Sequence, residues 1–131
     1  MGSRGAKLHE LEIEDNRNYI VTGQILDAEV LQGKSKKYHT LPEISHKSNV
    51  IYIKLNDDGT FRELRSYCNH KCIIEIDYHK EPLGNKKYIL HAHDINGKEY
   101  DFHPKARHLT EEEFEFYSRY FVGLDLKEVL R

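Results

Sequence analysis

The chain has no tryptophan, a single methionine, three prolines and two cysteines in 131 residues. The shortage of cysteine removes one class of protein. Two cysteines, Cys68 and Cys72, cannot supply the multi-bridge framework of a small secreted scaffold. They flank an expected tight turn and are read as reduced thiols. No apolar run approaches the ~18 residues of a membrane-crossing helix. The first residues are polar, unlike the apolar centre of a signal peptide. These absences point to a cytoplasmic protein with no membrane partner. An excess of charge is missing too. The formal net charge is -2, so no global field draws the chain to nucleic acid, although a local basic patch still can. Hydrophobic residues make up 38% and charged residues 32%, with Ile, Leu, Val, Tyr and Phe clustered enough for a core. A chain of this length can bury well over half of its unfolded surface as one domain. A single domain over residues 1–131 is expected, with a loose start at residues 1–7 that fits either a cloning remnant or native sequence.

Residues 8–13 have no clean period. Residues 18–21 and 25–31 are short apolar segments broken by Gly23, read as strands, with a short helix over 25–31 as the alternative. Residues 32–48 are polar and carry Gly33, Pro42 and the cluster Lys34, Lys36 and Lys37. That is a loop of a length that often serves function. The middle of the chain alternates with a period of two. Strands are expected over 50–55, 60–67, 72–79, 88–94 and 98–103. Turns are expected at Asn56-Asp57-Asp58-Gly59, at residues 68–71, and at Asn96-Gly97, the strongest hairpin signal of the three. Residues 81–87, with Pro82 and Gly84, form a loop. Thr110 followed by Glu113 is a capping box, Leu109 and Phe114 occupy the positions of a hydrophobic staple, and Gly123 is a C-terminal stop. The stripe Phe114, Tyr117, Phe121 is expected to face the core. The fold class is therefore α+β: an antiparallel β-meander of four or more strands packed against a C-terminal α-helix.

The chain has nine histidines, and five of them lie between Tyr78 and His108. Within a strand, i and i+2 share a face. Asp77 and His79 are thus paired on one face, as are His91 and His93. If their strands pair, four polar groups meet, bordered by Arg62, Arg65 and Tyr67. A strand showing its polar side to water would offer the same residues, so burial is the discriminating observation. Two chemistries fit a convergent set. One is metal-free RNA cleavage, in which one histidine takes a proton, another gives one, and Arg65 stabilises the phosphorane. The other is a His-x-His metal site for zinc, iron or manganese. The candidate catalytic residues are His79, His91, His93, Arg65, Tyr67 and Asp77. Lys34, Lys36, Lys37 and Arg62 are candidates for contact with nucleic acid or a partner. No cofactor is expected and no metal ligand is assigned. Glu111-Glu112-Glu113 is explained by the helix dipole.

Two stretches resemble known proteins. The opening Met1-Gly2-Ser3-Arg4-Gly5-Ala6 is similar to the start of small phage and prophage proteins encoded near head-morphogenesis genes. Residues 48–93 carry Tyr52, Asp58-Gly59, Arg65 and Tyr67, Ile76-Asp77-Tyr78 with His79, and His91-Ala92-His93. This order resembles the toxin-like, RNase-type modules of MuF-type phage head proteins, over about a third of the chain. Cys68-Asn69-His70-Lys71 stands where an Asp-x-x-Gly turn is usual, and Asp94-Ile95 where an aromatic is usual. The resemblance implies a toxin-derived module, a class that phages also reuse as inhibitors of host defence. Three readings follow. The first is an accessory protein that binds and inhibits a host defence protein or ribonucleoprotein, such as an RNA-guided CRISPR nuclease, in the host cytoplasm. The second is a metal-independent RNase. The third is a metal-binding or structural virion protein.

Overall fold

The computed structural model describes residues 17–95 and 105–131. The expected strand at 98–103 and its Asn96-Gly97 turn lie outside them, as do residues 1–16. The described chain is a six-stranded sheet in the order β1-β2-β3-β4-β5-β6. The strands are β1 (Tyr19–Ile25), β2 (Ala28–Gly33), β3 (Asn49–Leu55), β4 (Phe61–Cys68), β5 (Lys71–Lys80) and β6 (Tyr88–Asp94), and a helix, α1 (Glu111–Tyr117), follows. The antiparallel meander holds from β3 to β6. Its turns follow local chemistry. Gly59 takes φ 85 and its N–H bonds Asn56 O at 2.9 Å. Between β4 and β5, Asn69 and His70 both have positive φ, 52 and 71. That is the pattern of a two-residue type I′ hairpin, where asparagine is favoured.

Two expectations are corrected in the first third. The segment 25–31 is neither one strand nor a helix, because the chain turns at Leu26, which takes φ 54, and Asp27. Gly23 does not break a strand but lies at a bulge inside β1. One parallel pair joins this hairpin to the antiparallel meander. β2 and β3 pair in parallel through Glu29↔Tyr52 and Val30↔Ile53, and residues 34–48 make the crossover that a parallel pair requires.

One sheet face is apolar. Ile53, Leu64, Ile76, Leu90 and Ala92 are buried there together with Phe61, Tyr120 and Phe121. The Phe61 and Phe121 rings stand 4.8 Å apart. The capping box is present in both directions: Thr110 Oγ1 accepts from Glu113 N–H, and Glu113 Oε1 accepts from Thr110 N–H. Thr110→Ala is expected to lower the unfolding free energy by about 1 kcal/mol. Urea melts should record this as a lower midpoint with an unchanged slope. The aromatic stripe is only partly as expected. Phe121 is buried, but Phe114 and Tyr117 are half-buried, and the deeply buried ring is Tyr120. The physical reason is that α1 ends at Tyr117 and tightens into a 3₁₀ turn, Ser118–Tyr120. The tighter turn shifts which residues face the sheet.

The other face is covered at its centre by the crossover. Leu41 and Ile44 are buried, and Leu41 packs with Tyr19, Leu31, Tyr52, Tyr67 and Cys72. Ser45 Oγ and Tyr52 Oη share a hydrogen bond of 2.7 Å beneath it. This second face carries the polar residues.

Candidate functional site

Cross-strand register decides which polar groups meet. Glu63 on β4 stands opposite Asp77 on β5, and Asp77 stands opposite His91 on β6. One step along, Arg65 faces Glu75, which faces His93. Residues two apart on a strand share a face. Glu63, Arg65, Glu75, Asp77, His79, His91 and His93 therefore occupy one side of the sheet, opposite the helix-packed core.

The histidines converge. His79, His91 and His93 place Nε2 at 3.7, 3.8 and 3.4 Å from Asp77 Oδ2. Two of the rings are oriented by the backbone. His79 Nδ1 lies 2.8 Å from Lys80 O, and His91 Nδ1 lies 2.9 Å from Ile89 O. A carbonyl only accepts, so Nδ1 carries the hydrogen in both. In the neutral rings Nε2 is then a lone pair facing Asp77. His91 is fully buried and Asp77 is 5% exposed. Yet His91 Nε2 and Asp77 Oδ1 have no hydrogen-bond partner. Buried polar atoms are nearly always paired, so two orphans at one spot need a physical explanation. His79 lies at the rim, with 37% of its side chain exposed.

The surrounding charges are close-packed. Arg65 places Nε and Nη2 at 2.8 and 2.7 Å from Glu75 Oε1, and Nε at 3.7 Å from Glu63 Oε1. Its Nη1 donates to Leu41 O and Pro42 O of the crossover, while Glu63 Oε1 accepts from Leu41 N–H. Burial pushes Glu75 up to about 7, and the charge of Asp77 adds to the rise against the pull of Arg65. Glu63 is raised by burial and then by Asp77. Burial also acts to raise Asp77, but hydrogen bonding to His79 and His93 outweighs it and holds the carboxyl well below the usual range. The same contact lifts His79 to about 9. His91 is lowered by burial. Functional sites and buried ion-pair networks both concentrate perturbation in this way.

His79, His91, His93 and Asp77 are thus brought together as the strand period requires. Arg65 joins them through Glu75 and Glu63. Tyr67 does not face the histidines: its ring packs edge-on to Tyr52 at 5.0 Å, and its hydroxyl donates to Pro42 O. Arg62 is exposed, the extra residue of a bulge opposite Lys54 and Leu55. Lys34, Lys36 and Lys37 are exposed around the 3₁₀ turn Lys36–Tyr38. Lys34 and Lys36 line a separate cleft of about 640 Å³ with Lys54. Glu63 and Glu75 belong to the cluster and were missing from the sequence-derived set. The alternation of β4 and β5 put them on the right faces, but an acidic strand residue normally faces water.

The donor atoms of Asp77, His79 and His91 all lie within 4.8 Å of one another, and so do those of Glu75, Asp77 and His93. Bonds of ~2.0–2.1 Å to a tetrahedral zinc put ligand atoms about 3.3 Å apart. The observed 3.7 and 3.8 Å from Asp77 to His79 and His91 need only a few tenths of an ångström of contraction. Nδ1–H donation to a carbonyl is the usual outer contact of a metal-ligating histidine. Among the described residues, no helix is long and apolar enough to cross a membrane. No protein-family model, curated protein or solved structure matches the chain.

Proposed function

We propose that this chain is a metalloprotein that binds a divalent transition metal through Asp77 Oδ2, His79 Nε2 and His91 Nε2. The observation that carries the reading is the pair of buried orphan atoms, Asp77 Oδ1 and His91 Nε2, beside a second histidine, His79, whose Nε2 stands 3.7 Å from the same carboxylate. A cation held by Asp77, His79 and His91 would give the stranded nitrogen its partner. Two histidines and one carboxylate suit zinc and iron(II), and three protein ligands leave coordination positions for water or substrate. The partly exposed His79 gives the ion a way in. The resemblance to RNase-type modules makes phosphodiesters the first substrate class to assay.

One observation favours metal-free RNA cleavage as a second reading. Glu75, raised to about 7, is poised as a base near neutral pH. His79 is raised to about 9 and holds a proton there. The two lie on either side of Asp77 on β5, each with a donor atom within 4.8 Å of that residue's carboxylate. His93 stands directly across from Glu75. The defence-inhibitor reading rests on the phage resemblance and makes no demand on these residues.

Purified protein should be stripped with chelator and titrated with cobalt(II) and zinc, then incubated with total RNA with and without metal. Saturable binding lost on His91→Ala supports the metal reading. Cleavage that persists in chelator selects the RNase. Absence of both, with capture of a host defence complex, selects the inhibitor.

A further inference from the structure

His93 and Glu75 are not used by a centre built from Asp77, His79 and His91. They form a second donor set, and Asp77 belongs to both. The register explains this. Asp77 sits midway along β5, with Glu75 before it and His79 after it. On β6, His91 faces Asp77 and His93 faces Glu75. One carboxylate is therefore flanked along the strand by two separate groups of ligands. His93 approaches Asp77 Oδ2 at 3.4 Å. Oδ1 of the same carboxylate is buried and has no hydrogen-bond partner. Oδ2 thus stands within 3.8 Å of the histidines of both groups, and a carboxylate oxygen shared by two sets of ligands is the geometry of a bridge.

We infer that Asp77 bridges two divalent cations, one held with His79 and His91, the other with Glu75 and His93. The inference rests on the metal reading above and extends it from one ion to two. Arg65 does not close the second position. Its two short contacts both fall on Glu75 Oε1, and it holds that side chain against the sheet as an outer partner does for a ligating carboxylate. Charge limits what else must be present. Once deprotonated for binding, Glu63, Glu75 and Asp77 carry three negative charges against Arg65 and Lys54. Two divalent ions leave a positive surplus, which calls for a bridging hydroxide or an oxyanion. Paired ions about 3.5–4 Å apart clamp the attacking and leaving oxygens of a phosphoryl group. Phosphate esters are therefore the substrate class this pair is proposed to take, as the resemblance to RNase-type modules already suggests.

The test is metal stoichiometry on the full chain. Chelator-stripped protein is reloaded with manganese(II), and bound metal per chain is measured by elemental analysis after desalting. Electron paramagnetic resonance then reports whether the ions interact magnetically. The expected result is two ions per chain with a spin-interaction signal. Glu75→Gln and His93→Ala should each bind one ion and lose that signal, while wild-type circular dichroism persists. The isosteric Glu75→Gln keeps the test informative if His93→Ala unfolds. One ion per chain in the wild type, or two without magnetic interaction, overturns the bridge and leaves the single-ion reading standing. No bound ion overturns both.

Discussion

Asp77→Asn is expected to abolish metal binding while leaving the chain folded. Asparagine keeps the size and shape of the side chain but removes the charge on which His79, His91 and His93 converge. In the wild type, zinc at 100 times its dissociation constant stabilises the folded state by about 2.7 kcal/mol. For a chain of 131 residues that is a rise of about 10 °C in melting temperature. The variant should rise by less than about 2 °C under the same conditions. Differential scanning calorimetry with and without zinc reads this directly, and an equal rise in both proteins would remove Asp77 from the site. The pH dependence adds a signature. His79 is raised from 6.5 to about 9 by Asp77. In metal-free protein its protonation therefore stabilises the fold fully below pH 6.5, and that contribution is lost as pH rises through about 9. Metal must displace the same proton, so the zinc-induced rise should grow between pH 6 and pH 9. In Asp77→Asn both trends should flatten.

Arg65→Ala is expected to destabilise the protein by about 3–5 kcal/mol, because it strands buried carboxylates. Glu63 is 8% exposed and the side chain of Glu75 is 15% exposed. Arg65 is a cation between them. It also anchors Leu41 O and Pro42 O, so its loss frees the crossover as well. Domains are stable by about 5–15 kcal/mol in total, and the variant should unfold at markedly lower urea. The penalty should shrink as pH falls toward 7, because losing Arg65 removes the pull that holds Glu75 down to about 7, and a neutral carboxyl needs no cation. Restoration by a second change, Glu75→Gln, would assign the loss to the stranded charge. A variant as stable as the wild type at pH 8 would show that solvent replaces the guanidinium.

The contrast between Asp77 and Glu63 explains what could be read from the sequence. Strand alternation put Asp77, His79, His91 and His93 on one face, and the short turns made pairing of β5 with β6 the simplest topology. Burial of that face could not be read. It depends on the crossover folding back so that Leu41 lies on Glu63, a contact 22 residues apart. No period within β4 signals it. The hairpin at Leu26 was missed for a related reason. Leucine with positive φ is disfavoured, so the residue gives no turn signal, and Gly23 nearby gave a misleading one. The capping box, which needs only side chains three residues apart, was legible in full.

The parallel contact between β2 and β3 has a consequence for the order of assembly. β3 to β6 are joined by short local connections, and local contacts form early and cheaply. The β1–β2 hairpin reaches that sheet through a ladder of two residue pairs, and only after the crossover has closed. Loop closure must be completed before the ladder contributes anything. The hairpin and crossover are thus expected to join last, when Ala28 and Val30 complete the core around Ile53. Their late arrival would leave Glu63 and Arg65 uncovered while β5 and β6 already held the histidines in place. A metal ion could then reach a nearly finished site before the molecule closes over it.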